Sequence, residues 1–312
     1  MRPGLLLSWL LVAPPVFAAE PPITALAFAP DGKTVLVGSQ SGVQVRTWPA
    51  LRLVRSLTTE LTNVHDLAFS PDGKVLAIAG GSPAEKGTVE LVRWPDGTLL
   101  HRVSPHKDVI YVVAWSDDSP TVVTASADHT VRKLDTRTGK PTGVFEGHSR
   151  GVLAAVFLPG DKQLVTAGGD ESLRVWDAES GKAARILSNH TKTVTGLAER
   201  PSGDKSIPPM VASISDDRTV RLWQPTVGRM VRFARLPSEP RAVAWTADGA
   251  SILVACKDGA LRVIDPETVE VRQTIPAVEG VAYALAVASD GSVLVGGRNG
   301  QLKRVELAPD KR

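Results

Sequence analysis

A chain of 312 residues with 43% apolar and 22% charged residues has the balance of an ordinary folded protein, which excludes a disordered chain and a multi-span membrane protein. Cys256 is the single cysteine, which excludes an internal disulfide. A formal net charge of +3 gives no case for a nucleic-acid partner.

The first residues differ from the rest. Arg2 precedes an apolar run over residues 5–12, and a stretch rich in small residues follows, with Val16 and Ala18 placed as a cleavage site requires. Residues 1–18 therefore read as a secretory leader cut between Ala18 and Ala19. The apolar run is far shorter than the ~20 residues a bilayer demands, and Pro14 and Pro15 follow directly, so no integral membrane span is expected in the mature chain. That chain, residues 19–312, is expected in the periplasm or outside the cell as one domain. Loss of Arg2 lowers its formal charge from +3 to +2.

Beyond the leader a turn signal recurs. Pro30-Asp31-Gly32, Pro71-Asp72-Gly73, Ser116-Asp117-Asp118, Pro159-Gly160-Asp161, Pro201-Ser202-Gly203, Ala247-Asp248-Gly249 and Ser289-Asp290-Gly291 follow one another at separations of 41 to 46 residues. Each is preceded by a short strand, and in all but the fourth unit, where Val156 stands instead, an alanine precedes its last residue, as in Leu26-Ala27-Phe28 and Val243-Ala244-Trp245. A β-branched run, a polar turn, a third strand such as Leu173-Arg174-Val175-Trp176 and a less regular fourth strand complete the unit. A four-stranded sheet cannot shield both its faces, so such units stack radially and close into a propeller. The expectation is an all-β, seven-bladed propeller of antiparallel four-stranded blades. The last blade is expected to be three-stranded, with Lys303, Arg304 and Glu306 on its open edge.

These units resemble the WD-repeat family over nearly all of the mature chain. Blade four carries His148, Thr166, Asp170 and Trp176-Asp177 at the family spacing, and blade five carries His190, Ser213, Asp217 and Trp223. The resemblance implies a hydrogen-bonded chain from tryptophan through hydroxyl and histidine to aspartate, which clips the strands of a blade together. Blade three has His106, Thr124 and Asp128 with Leu134 in place of tryptophan, so its network is expected to be incomplete. Trp48 and Trp94 read as the family tryptophan of blades one and two, while Ile264 and Val305 take that place in blades six and seven. The three histidines stand in successive repeats and hence on different spokes, which speaks against a shared metal site. Arg46, Arg132, Arg174, Arg221, Arg262 and Lys303, two residues before the tryptophan position, read as solvated charges spread around the ring.

The same resemblance places partner contacts on the top face. Carried across, its positions give Asn63 and His65, Val109 and Tyr111, Gly151 and Leu153, Thr193 and Thr195, Glu239 and Arg241, Val281 and Tyr283, with Ala127, Gly169, Asp216, Lys257 and Arg298 before the turn aspartates. Tyr111, Leu153, Arg241, Lys257, Tyr283 and Arg298 are the candidate binding residues. The function implied is a non-enzymatic scaffold for protein or peptide partners, monomeric alone and with no cofactor or metal. The alternative is an exported propeller enzyme, lactonase-like or otherwise hydrolytic, with its site at the central channel. Glu199, an acid at a strand end that is otherwise mostly bulky and apolar, is the residue that raises it.

Overall fold

The computed structural model describes residues 20–117, 120–201 and 208–308. The leader, its cleavage point, Asp118 of the third turn signal and Ser202-Gly203 of the fifth lie outside the described residues.

Each repeat forms one antiparallel sheet whose strands keep chain order from axis to rim. Blade four is representative, with Val152–Phe157 innermost, then Gln163–Gly168, Leu173–Asp177 and, outermost, Ala183–Leu187. The innermost strands of the others are Ala25–Phe28, Val64–Phe69, Ile110–Trp115, Val194–Glu199, Pro240–Trp245 and Ala282–Val287. Six sheets have four strands and the last has three, so the described chain is a seven-bladed propeller. A short 3₁₀ turn at Arg298–Gly300 is the helical segment among the described residues.

Local chemistry explains the repeat. In the first turn Asp31 Oδ1 accepts from the backbone N–H of Lys33 at 2.8 Å, while Gly32 takes φ +63° at no steric cost. Second strands are covered on both faces by neighbouring blades and read as unbroken apolar or small runs, such as Leu164 to Gly168. Outermost strands are the most exposed, and in blades one and four only the terminal leucine, Leu57 or Leu187, is buried.

The core is divided by blade pairs. Leu36, Val45 and Leu57 of blade one meet Leu67, Leu76 and Ile78 of blade two in one cluster, and comparable clusters fill the next five junctions. The seventh, where blade seven meets blade one, holds only Ile23, Val37 and Ala284 as buried members, with Leu26 and Leu302 against them. Ile23 N–H also donates to Gly297 O at 3.0 Å across that junction. The ring is closed, and its closing seam is its thinnest.

Strand register corrects the place of two tryptophans. Trp176 pairs with Leu164, which pairs with Phe157. The matching residues are Arg46 in blade one, opposite Val35, and Val92 in blade two, opposite Leu76. Trp48 and Trp94 lie two residues further on, in the turn, where their rings stand edge-on to Phe28 and Phe69 at 4.8 and 5.4 Å. Those blades therefore lack the family tryptophan at its pairing position.

Candidate functional site: the channel mouth

The networks that hold the blades come first. In blade four the Trp176 indole N–H donates to Thr166 Oγ1 at 2.8 Å, the hydroxyl donates to His148 Nε2 at 2.7 Å, and Nδ1–H donates to Asp170 at 2.9 Å. The indole N–H can only donate, which leaves the hydroxyl proton free to reach His148 and joins side chains of two strands, a loop and a turn into one chain. Blade five repeats the chain through Trp223, Ser213, His190 and Asp217 at 2.8, 2.7 and 2.8 Å. Blade three keeps His106 to Thr124 at 2.8 Å and His106 to Asp128 at 2.9 Å, but buried Leu134 offers no donor to the threonine hydroxyl.

Charge follows this geometry. Burial pushes the Asp170 carboxyl up, but the hydrogen bond and charge of His148, with Ser172 and the Ser149 N–H, outweigh it and hold the group well below the carboxylate range. Asp128 and Asp217 are held down in the same way by His106 and Thr130, and by Thr219 and His190. Burial lowers His190 despite Asp217 beside it, which favours the neutral ring. Each imidazole is engaged within its own blade.

Three of the six basic residues before the tryptophan position are not solvated, whereas Lys303 is exposed as expected. Arg174, Arg221 and Arg262 have side chains 16%, 13% and 5% exposed and lean toward Asp170, Asp217 and Asp258 four residues earlier. In blade six, where Val254 and Ile264 stand at the hydroxyl and tryptophan positions, Arg262 grips Asp258 with two nitrogens. In blade two the corresponding residue is Glu90, fully buried and bonded to Arg102 Nε at 2.8 Å. Its inverted charge is masked in the sequence by Trp94, which lies two residues beyond the pairing position held by Val92.

The top of the channel carries a ring of side chains from all seven blades. In blades two to seven the innermost strand skips one residue against its neighbour, and the skipped residues are His65, Tyr111, Leu153, Thr195, Arg241 and Tyr283. A bulged residue leaves the ladder and its side chain is re-aimed. All six, with Thr24 of blade one, line a cavity of about 470 Å³ at the channel mouth. Four of the candidate binding residues, Tyr111, Leu153, Arg241 and Tyr283, are thus brought to one opening.

The other two candidates are outside that ring. Lys257 donates to Glu239 Oε2 at 3.0 Å, and Arg241 bonds the same oxygen and Asp216 Oδ1 at 2.9 Å each, so Lys257 reaches the mouth only through this ion-pair chain. Arg298 is exposed on the 3₁₀ turn and does not line the cavity.

Below the ring sits a group that the sequence did not single out. Asp66 of blade two accepts from Leu67 N–H and, across the junction, from Val113 N–H of blade three, both at 2.9 Å. Burial, only partly opposed by these bonds, raises its carboxyl to about 6. Burial also lowers His65, and burial with nearby Asp108 raises the Tyr111 phenol. At neutral pH the mouth presents an apolar and aromatic arc, His65, Tyr111 and Leu153, facing an arc of hydrogen-bonding groups, Thr195, Arg241, Tyr283 and Thr24. Such a surface can grip a polypeptide segment by shape and hydrogen bonds, since Arg241 is already compensated by two carboxylates.

Comparison with known proteins agrees with this geometry. The model of the WD domain, G-beta repeat, matches residues 139–177 and 181–224, and that of the anaphase-promoting complex subunit 4 WD40 domain matches residues 53–118. The chain belongs to the WD-repeat β-propeller family.

Relatives of this WD-repeat ring include an uncharacterized WD repeat-containing protein of Schizosaccharomyces pombe, 29% identical over 43% of this chain and 33% of that protein. An uncharacterized WD repeat-containing protein of Synechocystis is 28% identical over 45% of this chain and 40% of its own length. Coronin-7 of Bos taurus is 36% identical over 28% of this chain and 10% of its own. The chain thus matches well under half the length of these curated relatives. No described helix is long and apolar enough to cross a membrane.

Proposed function

We propose that this WD-repeat ring is an exported, non-enzymatic scaffold that docks a protein or peptide segment in the mouth of its channel. WD-repeat propellers are protein-interaction scaffolds as a family, and one observation supports the mouth as the site here. Six blades each spend a β-bulge to aim one side chain into the same opening. Tyrosine and arginine, enriched at interface hot spots, supply three of those residues. The leader-like residues 1–18 support the extracytoplasmic location.

The test has two parts. N-terminal sequencing of the chain recovered from an envelope fraction is expected to begin at Ala19. Affinity purification with the native chain and with a Tyr111→Ala, Arg241→Ala, Tyr283→Ala triple variant is expected to recover a partner that only the variant loses. Recovery unchanged by the triple variant overturns the mouth as the docking site.

Glu199 favours a second reading, a hydrolytic site at the lower end of the channel. Burial and the charge of Asp117 raise its carboxyl to about 7, and Oε1 is buried without a hydrogen-bond partner among the described residues. A general acid at that pKa suits acid–base chemistry, so turnover of lactones or esters that is abolished by Glu199→Gln would support this reading over the first.

A further inference from the structure

Blade seven ends on an open edge. Its third strand, Leu302–Val305, pairs inward with Val293–Gly297, and among the described residues no strand pairs with its outer side. The chain beyond turns toward blade six, where Ala308 N–H donates to Gln273 Oε1 and Gln273 Nε2 donates to Ala308 O, both at 3.2 Å. Residues 306–308 therefore leave the edge uncovered.

The six complete blades define what fits there. The residue opposite the position of Leu302 is Leu57, Val103, Phe145, Leu187, Ala234 or Ile275, apolar in every blade. Two residues earlier, the fourth strand faces Val45, Leu91, Lys133, Val175, Leu222 or Val263, apolar in all but blade three. Blade seven places Arg304 at that point. Its guanidinium lies over the Trp48 ring at 5.4 Å with Glu306 at 3.2 Å and Asp290 at 3.7 Å, yet Nε has no partner among the described residues. Lys303, exposed beside it, adds a second positive charge to the edge.

We propose that this edge accepts an extended segment of a partner polypeptide as the fourth strand of blade seven, with an apolar residue opposite Leu302 and an acidic residue opposite Arg304. Backbone hydrogen bonds supply the attachment and the acidic residue two places before the apolar one supplies the choice. The site is separate from the channel mouth and rests only on the ring's being a scaffold. Substitutions at Tyr111, Arg241 and Tyr283 leave it intact, so failure at one site is read separately from failure at the other.

A labelled peptide copying residues 181–189, the outermost strand of blade four, tests it in two forms, as it stands and with R185E. Binding is measured by fluorescence anisotropy to the full chain and to the chain beginning at Ala19. The R185E peptide is expected to bind both chains roughly fivefold tighter than the parent, the size of an opposite-charge against a like-charge cross-strand pair. Arg304→Glu is expected to reverse the order and Arg304→Gln to erase it, and methylation of alternate peptide nitrogens to abolish binding. Equal binding of both peptides that is indifferent to Arg304, or no binding to either chain, overturns the proposal. Binding confined to the chain beginning at Ala19 supports the proposal for the chain cut after Ala18. Displacement of a ring dimer by the peptide assigns the edge to a second copy and overturns it equally.

Discussion

Arg262 holds both carboxylate oxygens of Asp258, at 3.0 and 2.6 Å, and in blade six this pair replaces the histidine and aspartate that clip blades three to five. The two partners are unequal, since the Arg262 side chain is 5% exposed and that of Asp258 is 40% exposed. Removing the carboxylate strands a buried cation, whereas removing the arginine leaves an acid that water can reach. Asp258→Ala is expected to cost about 3 kcal/mol or more, and Arg262→Met distinctly less. Urea denaturation of the two variants checks the order.

Thr166 and Thr124 carry the same side chain in unequal settings. Thr166→Val leaves two buried groups unpaired, the Trp176 indole N–H and His148 Nε2, at about 1–3 kcal/mol each. Thr124→Val removes a partner of His106 Nε2 alone, which still has the Thr124 carbonyl at 3.2 Å, because Leu134 makes no demand on the hydroxyl. The blade-four substitution is therefore expected to lower the unfolding midpoint more than the blade-three one.

The networks of blades three to five were legible because they rest on residue identity at fixed spacing, as was the blade count, which rests on the turn signals. Register was not. Trp48 and Trp94 look like the family residue, yet pairing puts Arg46 and Val92 in its place, because the third strands of these blades run into Trp-Pro turns rather than ending on the ring. The same slip hid Glu90. Bulges are equally silent in a sequence, since a skipped residue shows only in the ladder. The mouth positions were reached through the family resemblance, and their convergence through coordinates.

Glu199 gives a pH signature with a definite sign. Its folded-state value of about 7 lies above the ordinary 4.5, so the folded chain holds this proton more tightly than the unfolded one. The resulting stability is fully present below about pH 4.5 and is lost as pH rises through 7. Glu199→Gln is expected to raise stability at pH 8 and to change it little at pH 5. His190, lowered by burial, destabilises both proteins alike as pH falls below 6.5, so it cancels in the comparison. Thermal midpoints of the two proteins across this range provide the check.

The junction of blades seven and one is closed by the smallest cluster, Ile23, Val37 and Ala284. Local opening favours regions with few buried apolar contacts. Amide exchange is expected to be fastest, among inter-blade contacts, at Ile23 N–H, which bonds across this seam. A peptide filling the edge of Leu302–Val305 is expected to slow it.

The most direct test of the scaffold reading is photo-crosslinking from single positions of the ring in living cells. A photoreactive residue at Leu153, Thr195 or Tyr283, all at the mouth, is expected to trap the same partner polypeptide, while one at Lys33 or Lys74 in the turns of the opposite face traps none. Crosslinks that form from the opposite face and not from the mouth would contradict it.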